Sequence, residues 1–267
     1  MTPQEKKRRD FMKQATGLGV LGMAAAAGIY AAPKLVAEEP LLRPPGAVPE
    51  ADYLKMCIKC GQCLQVCPYD SILLEDIEGG ASVGMAYIDP TQRGCYLCEA
   101  FPCILACPTG ALDHENDEIE KVHMGMAVIV KEDACLALHN TPVPQRAIDR
   151  MYEHTKILSA AEQTAHKVIR RGDESEKEDL QKQVLEKLDA FRGGDKQCTL
   201  CADLCPFHPD PSTAIGMVAK NGGMIPEIRE ACVGCGVCVE VCPTEVLQIV
   251  PSATYDDIYA KGKNHAS

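Results

Sequence analysis

The residues of this 267-residue chain best suited to chemistry are its sixteen cysteines. Three runs of four end in Cys-Pro, and a shorter run, Cys198-x2-Cys201-x3-Cys205, also precedes Pro206. Cysteines spaced by two residues can wrap a loop around one face of a metal–sulfur cube, and this spacing is typical of [4Fe–4S] ligation. The complete runs are Cys57-x2-Cys60-x2-Cys63-x3-Cys67, Cys95-x2-Cys98-x4-Cys103-x3-Cys107 and Cys232-x2-Cys235-x2-Cys238-x3-Cys242.

The remaining cysteine, Cys135, resembles the first member of the short run. The segments Val130–Ala134 and Ile228–Ala231 both place a β-branched residue, a charged step and alanine before a cysteine. An apolar stretch at 126–130 precedes Cys135 as a strand should. Cys135 therefore completes the third group, and the chain is predicted to repeat one cluster-binding unit four times.

In two-cluster ferredoxins the cysteine before proline binds the neighbouring cluster of the pair. Cys67 and Cys95 are separated along the chain by almost the same distance as Cys205 and Cys232. This similarity favours pairing group one with group two and group three with group four. The alternative pairs the two outer groups, one and four, and the two inner groups, two and three. The favoured pairing gives four ligand sets: Cys57, Cys60, Cys63 and Cys107; Cys95, Cys98, Cys103 and Cys67; Cys135, Cys198, Cys201 and Cys242; and Cys232, Cys235, Cys238 and Cys205.

Three other uses of cysteine compete with this interpretation. Structural zinc sites need two separated Cys-x2-Cys pairs and not a run of four before proline. Disulfide scaffolds are usually small secreted domains, and a redox Cys-x2-Cys motif would not recur this often. We therefore favour four [4Fe–4S] clusters, with no catalytic residue.

The N-terminal segment 1–37 is predicted to be an export signal. The paired arginines Arg8 and Arg9 precede an apolar stretch at 15–32, which is typical of twin-arginine signal peptides; a membrane anchor is the alternative. The chain carries a net charge of −11, and without this basic segment the remainder carries −15. Such a negative body repels nucleic acid and argues against that partner.

The predicted fold class is α+β, with two tandem ferredoxin-like 2[4Fe–4S] units at 53–125 and 126–250. A proline-rich stretch at 38–52 is expected to form an extended tether outside the core, and 251–267 a polar tail. Residues 141–196 form an insertion of helical periodicity, predicted to be an α-helical hairpin. It is either a tolerated surface insertion or a device for docking a partner.

Several features resemble the ferredoxin-type proteins of the NapG/MauM family. These are the twin arginine, the Arg43–Ala47 segment, Cys-Ile-Lys-Cys-Gly-Gln-Cys at 57–63, and the lone Cys135 ahead of its partners. The resemblance implies a periplasmic electron-transfer protein that works with an integral-membrane, quinol-oxidising ferredoxin-type partner. It would be a quinol dehydrogenase component that relays electrons toward periplasmic nitrate reductase, with a periplasmic cytochrome or reductase as its acceptor, and would have no substrate chemistry of its own. The long insertion departs from the family pattern, and the alternative is an iron–sulfur subunit of another exported molybdenum oxidoreductase or methylamine-type dehydrogenase system.

Overall fold

Most helices and strands of the described residues are short, because the cysteine-rich loops interrupt regular structure. The computed structural model describes residues 40–77, 80–98, 100–116, 118–152, 174–194 and 196–260. The predicted export signal at 1–37 lies outside these residues. The helices are α1 (Glu50–Met56), α2 (Gln62–Val66), α3 (Pro102–Leu105), α4 (Glu174–Asp189), α5 (Leu200–Asp203) and α6 (Val237–Glu240), and residues 145–152 are also helical.

Six strands form three two-stranded antiparallel sheets, which pair β1 with β2, β3 with β6 and β4 with β5. The strands are β1 (Leu73–Leu74), β2 (Ala86–Tyr87), β3 (Gly125–Ile129), β4 (Ile215–Lys220), β5 (Gly223–Ile228) and β6 (Leu247–Pro251). In the β3–β6 pair, Gly125 is opposite Pro251 and Ile129 is opposite Leu247. The strand before the insertion therefore pairs with the last strand of the chain, and this pairing closes the second half of the fold.

The core is built from aliphatic side chains and cysteines, since the chain has no Trp and only four Phe. Tyr53, Leu97 and Ile104 are almost completely buried, as are Met126 and Val237. Seven cysteines are buried as well: Cys67, Cys95, Cys103, Cys135, Cys205, Cys235 and Cys238. Among the described residues no helix is both long and apolar enough to cross a membrane.

The proline-rich stretch corrects the expectation of a tether outside the core. Residues 42–46 are buried, and two isolated bridges join Leu42 to Ile88 and Ala47 to Leu112. Arg43 can be buried because its guanidinium donates to both Glu50 carboxylate oxygens, at 2.9 and 2.6 Å, and to the Ala86 carbonyl at 3.0 Å. The backbone is interrupted by a turn at 45–46 and becomes helical from Glu50, and its polar groups find partners inside the protein.

The C-terminal stretch also differs from the expected polar tail in its described part, 251–260. A π-helical turn spans Asp256–Ala260, and the Tyr259 hydroxyl donates to the Ala127 carbonyl at 2.8 Å. Tyr255 and Tyr259 pack together with ring centroids 5.0 Å apart. Two amphipathic tyrosines thus hold this segment against β3.

The insertion is described at 141–152, at 174–194, which includes α4, and at 196, with 153–173 and 195 outside the described residues. The two longer parts both join the core: Ile148, Leu188 and Phe191 are buried. The Tyr152 hydroxyl donates to Asp189 at 3.0 Å, which links the two parts. The hairpin itself stays a prediction.

Candidate iron–sulfur centres

Each of four short helices contains one cysteine, and a second cysteine lies at the helix end or just beyond it, four residues later. Helices α2, α3, α5 and α6 contain Cys63, Cys103, Cys201 and Cys238, and the Cys-Pro cysteine follows four positions later. Residues at i and i+4 lie on one helix face, one turn apart. A single short helix can therefore supply sulfur to two adjacent sites, which is the geometric basis of the crossed ligand pattern.

Two of these helices begin at a glycine in the left-handed conformation. Gly61 precedes α2 with φ 69°, and Gly236 precedes α6 with φ 85°. Glycine adopts this conformation without the steric cost that a Cβ imposes. The loop can therefore reverse sharply and place consecutive cysteines around one centre.

The sixteen cysteines line four separate cavities, four to each. We number these cysteine rings by the chain order of their first members. Their cavity volumes, open solvent at the mouth included, are about 380, 330, 340 and 350 Å³ for rings 1 to 4. Ring 1 is Cys57, Cys60, Cys63 and Cys107; ring 2 is Cys67, Cys95, Cys98 and Cys103; ring 3 is Cys135, Cys198, Cys201 and Cys242; ring 4 is Cys205, Cys232, Cys235 and Cys238.

The rings contain the same four sets of cysteines that the spacing predicts. The Cys-Pro cysteine of each group lies in the ring formed by the other three cysteines of the partner group. Groups one and two exchange cysteines in this way, and so do groups three and four. Which groups bind a cluster stays a prediction. The two histidines nearest to cysteine runs, His139 and His208, line none of the four cavities.

Ring 3 is assembled from segments on both sides of the insertion. An isolated bridge pairs Pro142 with Gln197, and the Gln197 side chain donates to the Ala137 carbonyl at 3.0 Å. The amide of Met224, in β5, donates to the same carbonyl at 3.0 Å. These contacts bring the two ends of the insertion together and place Cys135 beside Cys198.

Burial raises the pKa of most of the thiols above the ordinary value. It raises the pKa of Cys63 and Cys95 to about 12, and that of Cys198 to about 11. Neighbouring ring cysteines raise the pKa of Cys63 and Cys198 further, because a second thiolate would repel the first. Four such sulfurs become stable thiolates only beside compensating positive charge.

Cys107 is the exception. Burial acts to raise its pKa, but hydrogen bonds from the Leu112 and Thr109 amides and from the Thr109 hydroxyl lower the pKa overall. The Leu112 amide lies 3.4 Å from Cys107 Sγ. In the second half of the chain the Val246 amide lies 3.3 Å from Cys242 Sγ. The Cys-Pro-Thr tripeptide was visible in the sequence, yet its threonines were not predicted as site residues.

The rings fit a polynuclear iron–sulfur cluster. Each supplies four sulfur donors, and bound iron would provide the positive charge that keeps these thiols ionised. All sixteen cysteines are within the described residues and none forms a disulfide there. In the same residues no group of three or more His, Cys, Asp or Glu side chains closes on a single metal ion. The four sulfurs of each ring instead line one shared cavity.

Comparisons with known proteins support the same chemistry. A 4Fe-4S dicluster domain matches residues 56–111, and a 4Fe-4S binding domain matches residues 225–248. The first match contains all of rings 1 and 2. The second contains Cys232, Cys235, Cys238 and Cys242, whereas Cys135, Cys198, Cys201 and Cys205 lie outside both matches. No solved structure matches the chain significantly.

The chain is also similar to curated ferredoxin-type proteins. It is 40% identical to the methylamine utilization ferredoxin-type protein MauM of Methylorubrum extorquens over 138 residues, which are 50% of this chain and 62% of that protein. It is 39% identical to the ferredoxin-type protein NapG of Escherichia coli over 137 residues, 50% of this chain and 58% of that protein. A MauM of Paracoccus denitrificans is 39% identical over 141 residues, 51% of this chain and 62% of that protein.

The chain thus spans about three fifths of the length of these relatives. Its cysteine groups, its two 4Fe-4S domains and these relatives lead to one assignment. The chain contains 4Fe-4S ferredoxin-type domains and is similar over about half of its length to the NapG and MauM ferredoxin-type proteins.

Proposed function

We propose that this chain is a periplasmic electron carrier with four [4Fe–4S] clusters. It would accept electrons that originate from quinol, through an integral-membrane ferredoxin-type partner, and pass them toward periplasmic nitrate reductase. The observation that carries the proposal is the set of four rings, each with four cysteines from two crossing groups. A bound cluster supplies one-electron storage at a potential between roughly −700 and +450 mV.

The protein's own residues would bind the clusters, tune them and limit their access to water. Cys60 of ring 1 is exposed, and Ile58 beside it has 62% of its surface exposed. In ring 4, Cys205, Cys235 and Cys238 are all buried. Ring 1 is therefore a suitable place for electrons to enter or leave, and ring 4 is suited to internal transfer.

The proposed location rests on the N-terminal sequence. Twin-arginine export carries folded proteins across the membrane, so clusters could be inserted in the cytoplasm before transport. The chain would then be peripheral to the inner membrane, held there by its membrane partner. The signal at 1–37 supports this only through its sequence pattern, and cleavage of the exported protein would be detected by N-terminal sequencing.

A second candidate is electron transfer in another exported molybdenum oxidoreductase or a methylamine-type dehydrogenase system. The observation that favours it is that the MauM relatives are as similar to this chain as NapG is. Stable co-purification with a large molybdenum subunit would favour the molybdenum oxidoreductase. Reduction of the chain by a methylamine-oxidising system would favour the methylamine-type dehydrogenase system.

Iron and acid-labile sulfide analysis after oxygen-free purification tests the four-cluster proposal. We expect about sixteen iron atoms per chain, with negligible zinc and EPR signals of reduced [4Fe–4S] clusters. A product with zinc in place of iron, or with half the iron, contradicts it. The partner proposal is tested separately by quinol-dependent reduction with and without the membrane partner.

A further inference from the structure

The loops of rings 2 and 4 meet directly, although they belong to different halves of the chain. The backbone amide of Cys95, in ring 2, donates to the backbone carbonyl of Cys235, in ring 4, at 2.7 Å. Both residues are buried. This hydrogen bond joins a ligand residue of one predicted two-cluster unit to a ligand residue of the other.

The two loops approach as closely as their backbones allow. A Cβ on Gly94 would lie 2.4 Å from the amide nitrogen of Val237, and a Cβ on Gly236 would lie 2.8 Å from the Pro90 side chain. Both distances are too short for a real side chain. Glycine at these positions is therefore what permits the contact between Cys95 and Cys235.

Glu240 holds this contact in place from the second half of the chain. Its carboxylate accepts from the Gly94 amide at 2.8 Å and from the Tyr96 hydroxyl at 3.1 Å. The Arg93 guanidinium lies 3.7 Å away, and both side chains of this ion pair are about nine-tenths buried. One carboxylate thus contacts Arg93 and Gly94 on one side of Cys95 and Tyr96 on the other.

Within each half of the chain, two short helices bring the two rings of that half together. Helices α2 and α3 pack together and carry the cysteines shared by rings 1 and 2, and helices α5 and α6 do the same for rings 3 and 4. The rings are therefore adjacent in the spatial order 1, 2, 4, 3. This order differs from the order of their first cysteines along the chain.

We propose that Glu240 is the positioning residue of an electron-transfer junction formed by Cys95 and Cys235. The inference rests on the proposed function and specifies where the two halves exchange electrons. The step is the transfer of one electron: one half is oxidised, the other is reduced, and no bond is formed or broken. The Cys95–Cys235 hydrogen bond is the connection between the ligand loops, and Glu240 fixes its length.

The test compares Glu240→Ala, Glu240→Gln and Gly94→Ala with the full-length protein carrying its clusters. Glu227→Ala is the matched control, since Glu227 is an exposed carboxylate that pairs with Arg229 at 3.0 Å on the β4–β5 hairpin. The readouts are iron content, the EPR interaction between the clusters of rings 2 and 4, and the rate of electron equilibration between the halves after rapid partial reduction.

We expect Glu240→Ala and Gly94→Ala to lose the magnetic interaction and to slow equilibration. In Glu240→Gln the amide oxygen still accepts from the Gly94 amide, so this variant should retain the magnetic interaction and the equilibration rate. Glu227→Ala should match the parent in both measurements. Unchanged interaction and rate in iron-replete Glu240→Ala and Gly94→Ala would overturn the junction while leaving the four-cluster proposal intact. Iron missing from the parent protein would overturn the proposed function and the junction together.

Pulsed EPR on the unaltered protein gives a result that does not depend on variant folding. The cluster of ring 2 should lie nearer to that of ring 4 than to that of ring 3. The opposite ranking of these two distances would reject the junction, whatever the variants do.

Discussion

The hydroxyl of Thr109 lies 3.8 Å from Sγ of Cys107, and the hydroxyl of Thr244 lies at the same distance from Sγ of Cys242. A thiolate has no proton to donate, so in the cluster-bound state each threonine would be the donor. Cys107 belongs to ring 1 and Cys242 to ring 3. The equivalent positions for rings 2 and 4 are occupied by the aromatic residues Tyr69 and Phe207.

Thr109→Val should lower the midpoint potential of the ring 1 cluster. Hydrogen bonds to ligand sulfur stabilise the more negative, reduced state. Losing one such bond should lower the potential by about 20–60 mV, the one-electron equivalent of about 0.5–1.5 kcal/mol. EPR-monitored redox titration measures the shift.

Thr109→Ser keeps a hydroxyl and should keep the potential near the parent value. Thr254→Val is the surface control, because its hydroxyl bonds Asp257 at 2.7 Å and no ring cysteine. A valine variant whose ring 1 potential equals that of the parent would exclude tuning by Thr109.

The cysteines that each run contributes to one ring could be predicted from sequence because the spacing within a run is a local property. A helix of one turn fixes the distance between Cys63 and Cys67, and Cys-Pro fixes where the helix ends. The β-strand prediction at 126–130 was wrong by only one residue, since β3 is Gly125–Ile129. A short apolar run locates a strand well but locates its ends less well.

Burial of the proline-rich stretch could not be predicted in the same way. Its composition indicates extended backbone, but burial of Arg43 depends on Glu50 and on the Ala86 carbonyl, which a distant strand supplies. The junction at Glu240 is equally invisible in sequence, because Gly94 is 146 positions away. Such long-range partners are set by tertiary packing, and no local pattern encodes them.

Cys135→Ser should remove one cluster and leave three. Cys135 is the member of ring 3 that lies far from its partners along the chain, and neither 4Fe-4S domain match includes it. Iron should fall from about sixteen to about twelve atoms per chain, with one set of EPR signals lost. Iron analysis and EPR of the same preparation measure this.

His139→Ala is the control for that experiment. The His139 ring contacts the Asp133 carbonyl at 2.8 Å and lies near Cys135 in sequence. It should retain the full iron content. If His139→Ala loses iron while Cys135→Ser retains it, the assignment of Cys135 to ring 3 is wrong.

Arg43→Met should lower the free energy of unfolding by about 1.5–3 kcal/mol, the range for hydrogen bonds to charged groups. Only 6% of the Arg43 side chain is exposed, and its guanidinium lies 4.8 Å from the Tyr53 ring centroid. Methionine keeps apolar bulk but removes both hydrogen bonds to Glu50 and one of the two side-chain donors to the Ala86 carbonyl, the other being the Tyr53 hydroxyl at 3.2 Å. The denaturant midpoint for loss of cluster absorbance measures the change.

Lys55→Met is the matched control for Arg43→Met. Lys55 pairs with Asp52 at 2.9 Å, but the side chains are 73% and 57% exposed. An exposed pair contributes about 0–1 kcal/mol, so the midpoint should hardly move. Equal shifts in the two variants would mean that the 42–46 segment adds nothing beyond a surface contact.

Phe191→Ala tests whether the base of the insertion is structural. Phe191 is 2% exposed and contacts the Lys196 ammonium, which lies 4.1 Å from the ring centroid. Truncating a buried phenylalanine costs about 3–5 kcal/mol, and Cys198 of ring 3 follows shortly after. We expect a lower denaturant midpoint, with the ring 3 EPR signal lost first.

Lys182→Glu separates this structural role from partner docking. Lys182 is exposed on α4, so reversing its charge should leave stability nearly unchanged. If α4 docks a partner through its charge, the rate of electron transfer to that partner should change in Lys182→Glu, and its salt dependence should differ from that of the parent. Lys182→Glu could instead match the parent in both electron-transfer rate and stability, while Phe191→Ala loses the ring 3 EPR signal. The insertion would then act through the buried residues at its base and not through docking. Deleting 145–194 could not make this distinction, because the deletion would also remove Ile148, Leu188 and Phe191 from the core.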